Sequence, residues 1–215
     1  MASARRFCRM LAAVASAAVI GIDAYHVLVE VDVAAGLPQW TIVGLPAGAV
    51  KESRERVSAA LANSGFQLPP RRLTINLAPG DTRKEGTAFD LPIALGILVA
   101  TGQLRTGATD GIVALGELGL DGALRPVRGV LPVARLLARG ANGHTLVVPP
   151  PNVPEAGLVS SLRLSATPTP GSGRSWERTR KTGAARAAPP RSPRGRSTAS
   201  SAASGCPLRP GRSPT

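Results

Sequence analysis

From Tyr25 to Ala34 the chain reads YHVLVEVDVA, and every second residue from Val27 to Val33 is a valine. A period of two puts Val27, Val29, Val31 and Val33 on one face of a strand and His26, Leu28, Glu30 and Asp32 on the other. A strand patterned this way is half buried, so the chain must supply a neighbouring strand and a layer that covers the valines. The neighbour lies immediately upstream, where LAAVASAAVIG is small and apolar and Gly21-Ile22-Asp23 separates the two runs as a turn. The segment MASARRFCRMLAAVASAAVIG also has the basic start and apolar run of a secretory signal. Apolar patterning that continues past the turn favours the strand. No run of eighteen strongly apolar residues occurs, so no membrane span is expected.

Further along, QWTIVGLP reads as a third strand ending at Gly44 and Pro46. AVKESRERVSAALANSGF follows as a helix with Val50, Val57, Ala60 and Leu61 on one face. Lys51, Glu52, Arg54, Glu55 and Arg56 are expected to form its solvated side, with Glu52 and Arg56 paired at i,i+4, and Asn63-Ser64-Gly65 stops it. RRLTINLAP alternates Leu73, Ile75 and Leu77 as a strand. A loop at 79–87 leads into an apolar helix through about Thr101, capped by Thr87 or Asp90 and tolerant of Pro92 in its first turn. GIVALGELGLDGALRPV reads as a hairpin around Asp121-Gly122, GVLPVARLLARGAN as a helix, HTLVVPP as a strand and NVPEAGLV as a short closing helix. The order predicts an α/β domain over residues 10–160, with one mixed sheet and helices mainly on one face, preceded by an extension at 1–9.

Charge is unevenly spread. Of the 26 Lys and Arg, eleven lie in residues 161–215 against a single acid, Glu177, whereas residues 1–160 hold fifteen basic and twelve acidic residues. The sequence pI of about 11.6 therefore describes the tail. Its Arg, Pro, Ser, Gly and Ala cannot bury enough apolar surface to offset ordering, so disorder is expected over 161–215. Two readings of this tail stay open: a basic arm for nucleic acid, and incidental sequence without a role, such as a frameshifted end. Cys8 and Cys206 make no metal spacing and no disulfide framework, which fits a reducing cytoplasm.

Enzymatic motifs fail one by one. PTPGSGRS at 168–175 is the nearest string to a phosphate-binding loop, but Pro168 replaces the first glycine and Arg174 the lysine. His26 and His144 are the only histidines, and neither has a second ligand nearby in sequence. No G-x-S-x-G is present for a serine hydrolase. Glu85 and Asp90 could pair as acid and base, but a surface residue beside Lys84 and a helix cap are the simpler roles.

The strings VGLPAGAVKESRERVSAALANSGF, PPRRLTINLAPGD, KEGTAFDLPIALGILVATG and LGELGLDGALRPVRGVLPVA together resemble the N-terminal domain of ComM/YifB-type magnesium-chelatase-like AAA+ ATPases. The resemblance covers about residues 10–160. It implies a Lon-protease-like domain with the ribosomal protein S5 domain 2-like fold. Lon-type proteases use a Ser–Lys dyad, and laid onto this sequence the serine position falls on Ala88 and the lysine position on Leu131. Neither side chain can act as nucleophile or base, so no catalytic, cofactor or metal residue is expected. Complete family members continue into an ATPase module, which implies ATP and magnesium as cofactors, hexamers, and ATP-driven DNA branch migration. The resemblance ends near residue 160, before any such element. What remains is a non-catalytic accessory domain, or a freestanding nucleic-acid binder that relies on the tail. Arg71, Arg72, Arg83 and Lys84, which flank one strand and its loop, are candidate DNA phosphate contacts; a solvated strand end is their alternative.

Overall fold

The valine strand forms as its pattern requires. A computed structural model describes residues 10–140 and 143–166. In it, β1 (Met10–Ile20) runs antiparallel to β2 (Asp23–Ala34) across a turn of Gly21 and Ile22. Val14 lies opposite Val29 and Ser16 opposite Val27, so small β1 side chains sit beside the valines on a shared face. All four alternating valines are buried, while His26 and Leu28 are exposed.

The chain continues through β3 (Gln39–Val43), α1 (Gly48–Lys51), α2 (Ser53–Asn63), β4 (Arg72–Ala78) and α3 (Asp90–Ala100). It then forms β5 (Ile112–Ala114), β6 (Glu117–Leu118), β7 (Leu124–Arg125), α4 (Val130–Arg139), β8 (Thr145–Val148), a 3-10 turn at Pro150–Asn152, α5 (Val153–Ala156) and β9 (Arg163–Ala166). Seven strands make one mixed sheet in the order β3-β4-β2-β1-β5-β8-β9. Only β2 runs against the other six. The hydroxyl of Ser16 donates to the carbonyl of Ala114 at 2.9 Å and ties β1 to β5 inside the core.

Both faces of the sheet carry helices, where the sequence predicted helices mainly on one. The face of Val14, Val29, Ile75 and Leu77 meets α2 and α3 through Val57, Leu61, Ile93 and Ile97. On the opposite face, Ala17, Val113, Leu146 and Val148 meet α4 and α5 through Val130, Val133, Leu137 and Ala156. α3 approaches β2 closely enough that a Cβ on Gly96 would lie 2.6 Å from Cγ2 of Val31. The valine face is thus covered by a helix that is apolar nearly all round, as a helix buried between layers should be.

Two segments differ from expectation. GIVALGELGLDGALRPV is not one hairpin: Ile112–Ala114 joins the main sheet in parallel with β1 and β8, and only Glu117–Leu118 and Leu124–Arg125 pair around Asp121-Gly122. Residues 163–166, expected in the disordered tail, form an edge strand parallel to β8. The remainder of that tail, 167–215, lies outside the described residues, as does the extension at 1–9.

Candidate functional site

The loop at 79–87 and the start of α3 are where the resemblance would put chemistry. Lys84 sits in this loop fully buried. Its backbone N–H donates to the Leu45 carbonyl at 3.1 Å, its carbonyl accepts from Ala47 N–H at 2.9 Å, and its ammonium donates to the Pro79 carbonyl. One residue thus closes its own loop and fastens it to the β3–α1 connection. Burial pushes the Lys84 amine below its ordinary pKa, and Asp81 opposes part of that shift. Nearby, the Tyr25 hydroxyl donates to the Arg83 carbonyl at 3.3 Å. Tyr25 is raised above the usual tyrosine value, first by burial and then by Asp81.

Residues 87–91 are held from three sides. The Thr87 hydroxyl donates to Glu117 Oε2 at 2.5 Å, the Ala88 carbonyl accepts from Gly116 N–H at 2.9 Å, and Leu91 N–H donates to the Gly116 carbonyl at 3.0 Å. Asp90 is fully buried and takes a two-pronged contact from Arg56, Nε to Oδ2 at 2.6 Å and Nη2 to Oδ1 at 3.0 Å. Asp90 Oδ2 also accepts Leu118 N–H at 3.2 Å. The Arg56 guanidinium further donates to the Ala49 carbonyl at 2.8 Å. Its pKa is raised above the ordinary arginine value, chiefly by the hydrogen bond to Asp90. α1, α2, α3 and the β6–β7 hairpin therefore meet at one buried ion pair. Asn63 adds a bond from its side-chain amide to the Leu120 carbonyl at 2.6 Å.

Several expected roles change here. Asp90 is no helix cap: Phe89 occupies the cap position of α3 and no side chain bonds the cap. Arg56 belongs to the interior network and not to the solvated side of α2, its side chain being 17% exposed. Glu85 is exposed and pairs with Arg83 at 3.2 Å, so it forms no dyad with Asp90.

The four proposed phosphate contacts do not converge. Arg71 and Arg72 sit where β4 begins, whereas Arg83 and Lys84 follow its far end. Seven residues at about 3.3 Å each put roughly 20 Å between the two pairs. Arg71, Arg72 and Arg83 are exposed, but the buried Lys84 amine is turned onto Pro79 and is closed to a ligand. Ala88 is half-buried against the α4 side of the core, and Leu131 N–H is taken by Glu155 Oε1 at 2.9 Å. His26 is exposed on β2; His144 precedes β8 and its buried Nδ1 has no hydrogen-bond partner among the described residues. Among those residues no group of three His, Cys, Asp or Glu could hold a metal ion. The string at 168–175 lies outside them.

Sequence reasoning missed the Arg56–Asp90 pair and the Asn152 clamp. The Asn152 side chain accepts Val127 N–H at 3.0 Å and donates to the Val127 carbonyl at 2.8 Å. The one available signal was an aspartate opening an otherwise apolar helix, which has to find a cation if it is buried.

The arrangement is a brace whose carboxylates are all engaged. Residues 29–152 match the family model described as subunit ChlI of Mg-chelatase. The chain belongs to that family. Within the ChlI family it is 43% identical over 150 residues to YifB of Escherichia coli (strain K12), a protein named as uncharacterized. It is 45% identical over 150 residues to competence protein ComM of Haemophilus influenzae. In each case the match takes in 70% of this chain and 29% of the relative. An uncharacterized protein of Mycobacterium tuberculosis is 42% identical over 163 residues, 76% of this chain and 32% of its own length. The chain thus spans about a third or less of the relatives it matches. No helix among the described residues is long and apolar enough to cross a membrane.

Proposed function

We propose that residues 10–166 act as a non-catalytic accessory domain of a ComM/YifB-type magnesium-chelatase-like AAA+ protein. In this reading the domain has the Lon-like, ribosomal protein S5 domain 2-like fold and works in the cytoplasm within a homo-oligomer. ATP, magnesium and the DNA branch migration they drive belong to the family's ATPase module. One observation carries the non-catalytic part. The positions of a Lon-type nucleophile and base hold Ala88 and Leu131, and the groups around Ala88 are committed: its carbonyl to Gly116 N–H, the Thr87 hydroxyl to Glu117 and the Asp90 carboxylate to Arg56. A methyl group fastened this way cannot attack a carbonyl. The accessory role is supported by similarity to a protein named for competence.

Grafting residues 10–166 in place of the matching segment of Haemophilus ComM tests the assignment by transformation frequency. A functional graft should transform far better than ComM lacking that segment. A graft that accumulates normally yet transforms no better would refute the accessory role, and casein hydrolysis by the folded chain would refute the non-catalytic one.

A further inference from the structure

An aspartate followed by glycine faces a backbone nitrogen that no side chain shields, and the chain has two such pairs, Asp110-Gly111 and Asp121-Gly122. The fold treats them differently. Both aspartates are exposed, but Gly122 is buried whereas Gly111 is exposed. Gly122 N–H donates to the Gly119 carbonyl at 2.9 Å, and Asp121 Oδ1 accepts Ala123 N–H at 3.0 Å. A Cβ on Gly122 would run into Ser64 Oγ and lie 3.3 Å from the Ala60 carbonyl oxygen, so the end of α2 closes over that turn. A Cβ on Gly111 would meet nothing within 4 Å. Among the described residues Gly111 N–H has no acceptor, and the Asp110 carboxylate takes no hydrogen bond. That carboxylate lies beside Gly107, where a Cβ would stand 3.1 Å from Oδ2, so no side chain there pins it.

We infer that Asp110 is a site of spontaneous isoaspartate formation and that the fold protects Asp121 from it. The Gly111 nitrogen attacks Cγ of the Asp110 carboxyl, and a C–N bond forms. The amide proton leaves with a carboxyl oxygen as water, closing a five-membered succinimide. Water then adds at the former main-chain carbonyl carbon and opens the ring there, leaving Gly111 joined to Cγ. One water is lost and one is gained, so no oxidant, cofactor or second protein is required. The product carries Cβ of residue 110 in its main chain, which is one atom longer immediately before β5. The Gly111 carbonyl accepts Thr145 N–H at 2.9 Å, and Ile112 pairs with Thr145. The extra atom therefore bears directly on the register between β5 and β8.

The test ages the full chain in neutral buffer at physiological temperature. Isoaspartate is read at each site by electron-transfer fragmentation of the tryptic peptide 106–128, which holds both aspartates because trypsin does not cut at Arg125-Pro126. Deamidation at Asn142-Gly143 falls in another peptide and changes the mass, so it does not interfere. The peptide 106–128 aged free in solution is the reference. Two hydrogen bonds must open at the second turn before Gly122 can attack, so Asp110 should isomerise about tenfold faster than Asp121 in the folded chain and within about twofold of it in the free peptide. Asp110→Glu, whose ring would have six members and closes more slowly, should remove the signal at 110 and leave Asp121 unchanged. In the aged fraction the Thr145 amide should exchange with solvent faster than in fresh protein. A ratio under about threefold in the folded chain, or a rate at Asp110 more than about tenfold below that in the free peptide, overturns the assignment. Unchanged exchange at Thr145 in isomerised protein overturns its reach into β8.

Discussion

Removing Arg56 should cost this domain more than removing any other charged side chain described here. Arg56→Ala leaves Asp90 with no exposed surface and one remaining bond, from Leu118 N–H. Breaking a buried ion pair from one side costs about 3–5 kcal/mol, because the stranded charge stays out of water. Arg56 is 17% exposed, so solvent can partly follow the vacated side chain, and the lower end, about 3 kcal/mol, is expected. For a domain of this size that is a fall of roughly 6–12 °C in Tm. Urea unfolding followed by far-UV circular dichroism and by Trp40 fluorescence would measure it. The double variant Arg56→Met with Asp90→Leu removes both charges at similar volume and should recover most of the loss. A loss under about 1 kcal/mol for Arg56→Ala, or a double variant no better than the single, would refute the stranded-charge explanation.

Gly96→Ala drives a Cβ to 2.6 Å from Val31 Cγ2. The overpacking should outweigh the gain in helix propensity and lower stability by about 1–2 kcal/mol in urea; an unchanged midpoint would mean that α3 lifts freely from β2. Asn152→Ala leaves both backbone groups of Val127 unpaired in the interior and should cost about 2–4 kcal/mol in the same assay, with little loss counting against the clamp. Lys84 gives a pH dependence. Its folded pKa is below the 10.5 of the free side chain, so between those two values the unfolded chain binds more protons than the folded one. Stability measured against Lys84→Met should therefore be flat below the depressed pKa and rise with pH toward 10.5; a flat difference throughout would show that the amine is not desolvated.

What the sequence disclosed depended on the range of the signal. The β1–β2 hairpin is legible to within a residue at the turn, where Asp23 belongs to β2, because valine alternation and a glycine turn are both local. β5 was folded into the wrong hairpin because Ile112–Ala114 is three residues long and its partners, Ala15 and residues 145–147, are remote in sequence. β9 was missed because Arg163–Ala166 is mostly exposed and composed like the segment that follows it. Helical periodicity placed Arg56 on the outward side of α2, since periodicity reports an angle around an axis and cannot report an aspartate 34 residues further on. The same blindness set Lys84 among surface cations. Its neighbours in sequence are charged and exposed, and only the return of the chain past Leu45 and Ala47 buries it.

The single reversed strand has a consequence for the order in which the chain assembles. β1 finds β2 across two residues, a closure of microseconds, whereas Ser16 and Ala114 must meet across 98 residues of chain. Long-range parallel pairing is entropically late, so the β5–β8–β9 half should add to a hairpin already formed. It should also be the half that opens first in the native state. Native-state hydrogen exchange would then find the amides of Val113 and Leu146 released at lower denaturant than those of Val29 and Val31. The β5–β8–β9 side of the sheet would be the more labile one, able to loosen while the valine hairpin holds.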